Sequence, residues 1–479
     1  GALRTGTNTL SVQMVNDTGF ASDIVNIESY TLRYRRNLSA EANRLNATIQ
    51  AIESNEGFAS GFEDAAQSSI VGPSSYVISN LTAPAVVLME RNGVQTLFAT
   101  STASEIAVSF DAQVGDRLIV SPASSTAVLG SAAAASDPIG GSSASYLIIS
   151  HPSFIGGLSQ FVTAKQQQGY TVKVVDVEAL YRYYNAGVAD PAAISQAIRN
   201  AQRIGTTHVL LVGGDTYDYH NVLGINSVSF VPTNYRRTDA IVNFAPADSV
   251  YADTDNDGAP NVALGRWPVR TQVELQAVIA KTLSYQNGKK AVMVNDRALN
   301  GERYSQEAAP FAAMLPQDWS HSLVDLDGFT DTAVARAEIV SKLTQGASLL
   351  SYYGHSAPAS WSREGLITAT QLSNGLMSGV NQSFVTVQLG CWGTYFVEPT
   401  STTVAHQLLL MPKGAAAVVG ASTLTLTTSD KAFAEQLLPK IGTGTLGENL
   451  KAALQVMSRN PEARDVTVGG TLLGDPALR

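Results

Sequence analysis

The chain has 479 residues, of which 44% are hydrophobic and only 15% charged, with a formal net charge of −9. That length implies about two to four domains, and the apolar share is ample for packed cores. The acidic balance excludes the basic face that nucleic acid or an anionic membrane requires, and no apolar run reaches the roughly 18 residues of a membrane span.

The rest of the composition is Ala, Ser, Thr and 39 Gly, a balance common in secreted bacterial proteins. The opening Gly1-Ala2-Leu3-Arg4 lacks the apolar core of a signal peptide. The expectation is a mature or trimmed monomer, secreted or at the cell surface. A single cysteine, Cys391, rules out an internal disulfide and a cysteine-built zinc site.

Residues 1–129 read as an all-β sandwich. Ile106, Val108 and Phe110 alternate, Leu118-Ile119-Val120 follows as a strand, and Gly, Asn, Ser and Asp clusters separate the runs. Residues 130–145 form a Gly/Ala/Ser linker. No Lys or Arg lies between Arg117 and Lys165, so a basic-specific protease has no site there.

From Tyr146 the pattern becomes alternating strand and helix. Strands are expected at Tyr146–Ser150, Thr171–Val177, His208–Val212, Ala291–Val294, Ser348–Tyr353, Phe384–Leu389 and Ala415–Val419. Helices are expected at Gly157–Gln168, Pro191–Arg203, Thr332–Leu343, Val404–Leu410, Ala432–Leu438 and Leu446–Met457. This argues for an α/β unit with a largely parallel sheet covered on both faces, divided into subdomains at 146–300 and 301–479.

In such sheets chemistry gathers beyond the carboxyl ends of the strands. The residues just past four late strands are Asn295-Asp296, Gly354-His355, Gly390-Cys391 and Gly420-Ala421-Ser422. An acid, a histidine, a cysteine and a serine therefore leave one edge if the strands are parallel. A nucleophilic Cys needs a base and an orienter for it, and a Gly before each reactive residue lets backbone N–H groups approach an oxyanion. The residues alone leave two readings open: a Cys–His dyad, or a buried small thiol. Asp296 is read as the orienter or as a cap at a strand end. The other five histidines carry no such context and no metal-ligand spacing.

These residues also carry a family likeness. Tyr352-Tyr353-Gly354-His355-Ser356 with Trp361, and Val387-Gln388-Leu389-Gly390-Cys391 beyond it, resemble the histidine and nucleophile motifs of the gingipain family of cysteine peptidases. Leu210-Leu211-Val212-Gly213-Gly214-Asp215, Ala263-Leu264-Gly265-Arg266 and Leu473-Gly474-Asp475-Pro476 resemble further family segments, in the family's order. The resemblance spans about Tyr146 to Arg479 and implies a caspase-like fold of two side-by-side subdomains.

It also implies Cys391 as nucleophile, His355 as acid–base group and Asp296 as its orienting acid. Gly354 and Cys391 would supply oxyanion N–H groups, and Trp361, Trp392 and Ser422 would bind a protein or peptide substrate. Ser356 stands where the family has a second Gly. A pocket-wall Trp has no counterpart in Ser422–Asp430, and the pocket acid of arginine-specific members falls within Gly301–Glu307. Strict Arg or Lys specificity is therefore not expected; Glu302 and Glu307 are the acids available for it.

Asp253-Thr254-Asp255-Asn256-Asp257-Gly258 places carboxylates at alternate positions before a Gly, like the first half of a calcium loop. Asn261 and the Ala259 carbonyl continue the alternation, with Asp248 nearby. Leu264 occupies the closing position of an EF-hand, so the loop is not one. The loop is read as a structural calcium site or as a solvated acidic turn, and calcium dependence is a trait the resemblance implies.

Tyr30-Thr31-Leu32-Arg33-Tyr34-Arg35-Arg36-Asn37-Leu38 resembles the sandwich segment that precedes the peptidase in larger relatives. A retained accessory domain is the favoured reading, with an inhibitory prosegment, a carbohydrate- or surface-binding module or a packing partner as the others. A sortase-like transpeptidase and a catalytically silent calcium-stabilised surface-binding module are the alternatives to a secreted endopeptidase.

Overall fold

The structure, a computed structural model, describes residues 38–40, 44–49, 73–82, 84–123, 135–141, 143–299 and 301–479. The chain divides into two compact units, Gly1–Ala133 and Ala134–Arg479. The segment 30–37 that carries the N-terminal likeness, and part of the linker, lie outside the described residues.

The described part of the first unit is all-β. One sheet pairs Leu38–Ser39, Pro73–Ser79 and Ile106–Asp111, and a second pairs Leu45–Thr48, Arg117–Pro122, Ala85–Arg91 and Val94–Ser101. Ile78 and Val108 from one sheet share a core with Val87, Leu118 and Val120 from the other, as a sandwich requires. The hairpin at Asn92-Gly93 has both residues at positive φ, 50° and 77°, the geometry that favours Asn-Gly in two-residue turns.

The second unit carries one ten-stranded sheet. Its strands are β1 Tyr146–Ser150, β2 Val172–Asp176, β3 His208–Val212, β4 Ala263–Trp267, β5 Lys290–Asn295, β6 Ser320–Asp325, β7 Leu349–Tyr353, β8 Phe384–Leu389, β9 Ala415–Ala421 and β10 Gly470–Leu473, in the spatial order β6-β5-β7-β8-β9-β10-β4-β3-β1-β2. All neighbours are parallel except β9 and β10. The last strand thus reverses the sheet, and the two halves present their carboxyl ends at opposite edges. By pairing, β5 belongs with β6–β9, so the halves part ahead of residue 290 rather than at 300.

Helices cover both faces. The ones that matter below are α1 Gln272–Ser284, α2 Ser305–Met314, α3 Val404–Leu410, α4 Thr427–Leu437 and α5 Leu446–Met457. β7, β8 and β9 are buried along their whole length, which is why they read as continuous apolar runs rather than alternating ones. Val292, Val294, Leu350 and Val418 pack with residues of α1 and α3 on one face. Ala291, Met293, Val385, Val387 and Val419 pack with α2, α4 and α5 on the other.

Two motifs are explained by packing within the first half and between it and the C-terminal segment. A Cβ on Gly265 would lie 2.2 Å from the Gly474 carbonyl oxygen. Arg266 is fully buried on Asp248 and on the carbonyls of Gly213 and Val231. Asp475 accepts from the Tyr146 hydroxyl at 2.7 Å and pairs with buried Lys165. Such pairs resist separation, because removing one partner strands a buried charge.

Candidate active site

The parallel run β5-β7-β8-β9 delivers Asp296, His355, Cys391 and Ser422 past one edge, as the sequence order anticipates. Two glycines decide how close the middle pair comes. Gly354 has φ +155°, and a Cβ there would sit 2.1 Å from Asp296 Cβ; a Cβ on Gly390 would sit 2.2 Å from the Gly354 carbonyl oxygen. The glycines therefore let the ends of β5, β7 and β8 meet at van der Waals distance.

The Gly354 N–H does not serve an oxyanion. It donates to the Leu389 carbonyl at 3.1 Å, which continues the strand pairing past Tyr353, so this expectation is corrected. Among the described residues the Cys391 N–H has no acceptor.

Asp296 also differs from expectation. It is 3% exposed, and its carboxylate accepts from the backbone N–H of His355 at 3.0 Å and of Arg297 at 2.8 Å. It fixes the main chain under the histidine rather than the ring. Burial pushes its carboxyl above the usual range, against hydrogen bonds from Ser362 and from those two backbone N–H groups.

The ring of His355 is held by two residues of the loop after β5. Its Nε2 lies 3.1 Å from Glu302 Oε2 and 3.3 Å from the Tyr304 hydroxyl. Tyr304 donates its proton to Glu302 at 2.8 Å, so its oxygen can only accept from Nε2. The network places a proton on Nε2 and leaves Nδ1 as the basic nitrogen of the neutral ring.

Cys391 faces a different neighbour. Its Sγ lies 3.4 Å from Thr425 N, 3.9 Å from Thr425 Oγ1 and 3.6 Å from the Thr425 carbonyl oxygen. Burial pushes the thiol up; the Thr425 N–H and hydroxyl pull against it, and the carboxyls of Asp430 and Asp465 add to the push. The Ser356 hydroxyl, where the family likeness has Gly, donates to the Cys391 carbonyl at 2.6 Å and ties the histidine loop to the cysteine.

Of the three expected substrate-binding residues, two are interior. Trp361 is fully buried, stacks on Tyr352 at 4.7 Å and donates to Gln388 at 2.7 Å. Ser422 is fully buried, with its hydroxyl on the Pro246 and Gly469 carbonyls. Both support strands and face no open cleft. Trp392 is partly exposed, sits at φ +58° and meets Tyr395 edge-on at 5.1 Å. Glu307, the other available acid, pairs with Lys431 at 2.8 Å.

In the acidic loop, carboxylate oxygens of Asp253, Asp255 and Asp257 lie within 4.8 Å of one another. This converging hard-oxygen set fits a calcium ion. Asn261 Oδ1 accepts from Thr254 N and Oγ1 at 2.7 and 3.0 Å and its Nδ2 faces Asp255, while the Asp253 carboxylate accepts from the backbone N–H groups of Asp257 and Gly258 at 3.2 and 2.9 Å. Asp248 is likewise spent on Arg266 and Thr233.

Nothing in the sequence marks Thr425, Tyr304, Asp430 or Asp465, and Glu302 stands out there only as a candidate pocket acid. Their positions follow the ends of strands or enter helices without any motif, so only the tertiary contact identifies them.

The model of peptidase family C25 matches residues 140–479. The structure of the Arg-specific cysteine proteinase gingipain R (RgpB) aligns with a TM-score of 0.56 at 20% identity, over 70% of this chain and 77% of that one. The complex of Porphyromonas gingivalis RgpB pro- and mature domains aligns with a TM-score of 0.57 at 19% identity, over 70% and 79%. At these identities the likeness is one of fold, and it agrees with a caspase-like α/β unit. A search of curated proteins found no match.

Proposed function

The chain belongs to peptidase family C25, and from that premise we propose a secreted or surface-borne endopeptidase that cleaves protein or peptide substrates with Cys391 and His355. That it is a cysteine peptidase follows from the family; the dyad, the endo mode and the location are the proposal. The observation that carries the dyad is the contact of Gly390 with the Gly354 carbonyl oxygen, which brings the ends of β7 and β8 together ahead of His355 and Cys391.

In the resting site, sulfur and imidazole have separate partners, Thr425 and the Glu302–Tyr304 pair. The thiol proton then passes to Nδ1 of His355 as substrate enters, and the sulfur attacks the scissile carbonyl. The Cys391 N–H is the donor available to the oxyanion, a contribution of about 3 kcal/mol for a well-placed group. His355 returns the proton to the leaving amine, giving a thioester, and takes one from the water that resolves it. Asp296 keeps the histidine's backbone in place, and Glu302 with Tyr304 keeps Nε2 protonated.

Calcium belongs to the same proposal. Asp253, Asp255 and Asp257 would hold it, and its charge would offset their mutual repulsion. Both available acids already have partners, Glu302 on His355 and Glu307 on Lys431, which supports a preference not restricted to Arg or Lys. Mass spectrometry of products from a peptide library tests activity and preference together. Internal cleavage at varied residues supports the reading; removal of terminal residues alone, or no cleavage, refutes it. An added amine that appears in the product as an amide would indicate transpeptidation instead.

A further inference from the structure

Behind the cysteine lies a polar chain, half-buried at Thr425 and buried at Asp430 and Asp465, that the reaction does not use. Thr425 Oγ1 is 3.9 Å from Cys391 Sγ and 2.8 Å from Asp430 Oδ2. Asp430 is 4% exposed in the first turns of α4, and Asp465, also 4% exposed, stands beside it with its carboxylate on the Leu426 and Val466 N–H groups. The Thr425 hydroxyl has one proton to give and two acceptors within reach.

We propose that Thr425 and Asp430 form a hydrogen-bond relay that holds the Cys391 sulfur and couples its ionisation to the proton on Asp430. The proposal rests on Cys391 being the nucleophile. When Asp430 is a carboxylic acid it donates to Thr425 Oγ1, whose own proton turns to the sulfur. The thiolate then has two donors from one residue, N–H and O–H. When Asp430 is a carboxylate, Thr425 must donate to it, and the sulfur meets an oxygen lone pair and a nearby negative charge. The proton on Asp430 therefore favours the thiolate, and its loss disfavours it.

The surroundings keep that proton in place at neutral pH. Burial pushes the Asp430 carboxyl up to about 8, with the Thr425 hydrogen bond opposing and Asp465 adding to the rise. The other titratable groups facing it are Cys391 after β8 and Tyr353 at the end of β7. Glu307 of α2 is engaged by Lys431. α5 packs against α4 with apolar Leu450, Ala453, Leu454 and Met457, and β8 with Val385, Val387 and Leu389. Among the described residues no cation pairs with Asp430. Asp430 is a positioning residue acting through Thr425, which touches the reacting atom.

The test reads the thiol directly, in the full chain, through the rate of iodoacetamide alkylation at the single cysteine across pH. In Asp430→Asn the amide donates to Thr425 at every pH, so from about pH 8 up to the onset of the thiol's own ionisation alkylation should run about tenfold faster than in the parent, as a one-unit fall in thiol pKa requires, with the two rates converging once both thiols are ionised. Thr425→Val should alkylate several-fold more slowly at pH 7, and Thr425→Ser should restore the parent rate. Because no substrate is involved, a chain that fails as a peptidase can still show the coupling, and an active peptidase can lack it. Overlap of the parent and Asp430→Asn profiles within about twofold between about pH 6 and 10, with both folded by circular dichroism, overturns the proposal. If Asp430→Asn does not fold, equal rates for Thr425→Val and Thr425→Ser overturn it alone.

Discussion

Gly390 presses against the carbonyl oxygen of Gly354 so closely that a Cβ on it would lie 2.2 Å from that oxygen. The contact sets the spacing between the strand that ends in the histidine and the strand that ends in the cysteine. Backbone on both sides leaves nothing flexible to yield.

Gly390→Ala should therefore cost about 1–3 kcal/mol of stability by overpacking and lose most turnover, since both strand ends must separate. Thermal unfolding and steady-state hydrolysis check this. A variant with unchanged melting temperature and activity would mean that the strand ends are not held at this distance.

Ser356 offers a milder perturbation. Its hydroxyl donates to the Cys391 carbonyl at 2.6 Å, so Ser356→Ala should cost about 1 kcal/mol and lower kcat more than it raises KM. A purely structural hydroxyl would instead change stability and leave kcat alone.

Burial of acids gives a signed pH dependence of stability. Asp430 is neutral in the fold up to about 8 but ionises in the unfolded chain near pH 4. Its stabilising effect is complete below that unfolded value and is lost as pH rises through about 8, because the native state binds the extra proton. Asp296 and Asp465 are raised as well and push the same way. The melting temperature should fall between about pH 5 and 8, and Asp430→Asn should flatten that slope by an amount on the order of a few kcal/mol. Differential scanning calorimetry across pH decides it; parallel slopes for both proteins would contradict the assignment.

The acidic loop predicts a metal effect. Calcium at 100 times its Kd should add about 2.7 kcal/mol to native stability, and chelation should remove it. Asp255→Asn should weaken that response, whereas Asn261→Ala should not remove it, because Asn261 spends its oxygen on Thr254. No shift in melting temperature on adding calcium to the chelated chain would make the loop an acidic turn.

The sheet was largely legible in the sequence because β7, β8 and β9 are buried on both faces and appear as unbroken apolar runs. Pro191–Arg203, Val404–Leu410 and Leu446–Met457 begin and end where caps and periodicity place them. Ser320–Asp325 was not seen as a strand, since an edge strand with exposed Ser320, His321 and Leu323 lacks that signature. β10 was read only as a motif: four residues before Gly474 are too few to show a period. At the site, sequence order correctly put His355 and Cys391 past neighbouring strands. It could not show that Asp296 would bond a backbone N–H, that Trp361 and Ser422 would turn inward, or that Thr425 would reach the sulfur from 34 residues away. Those outcomes depend on side-chain direction, which strand order does not encode.

The central claim is that Cys391 and His355 act together. The most direct measurement is peptide turnover by Cys391→Ala and His355→Ala, each shown to be folded by circular dichroism. The covalent route should be lost in the first, and turnover should fall by at least about a hundredfold in the second, the usual scale for a general acid–base group. Full activity in either well-folded variant would contradict it.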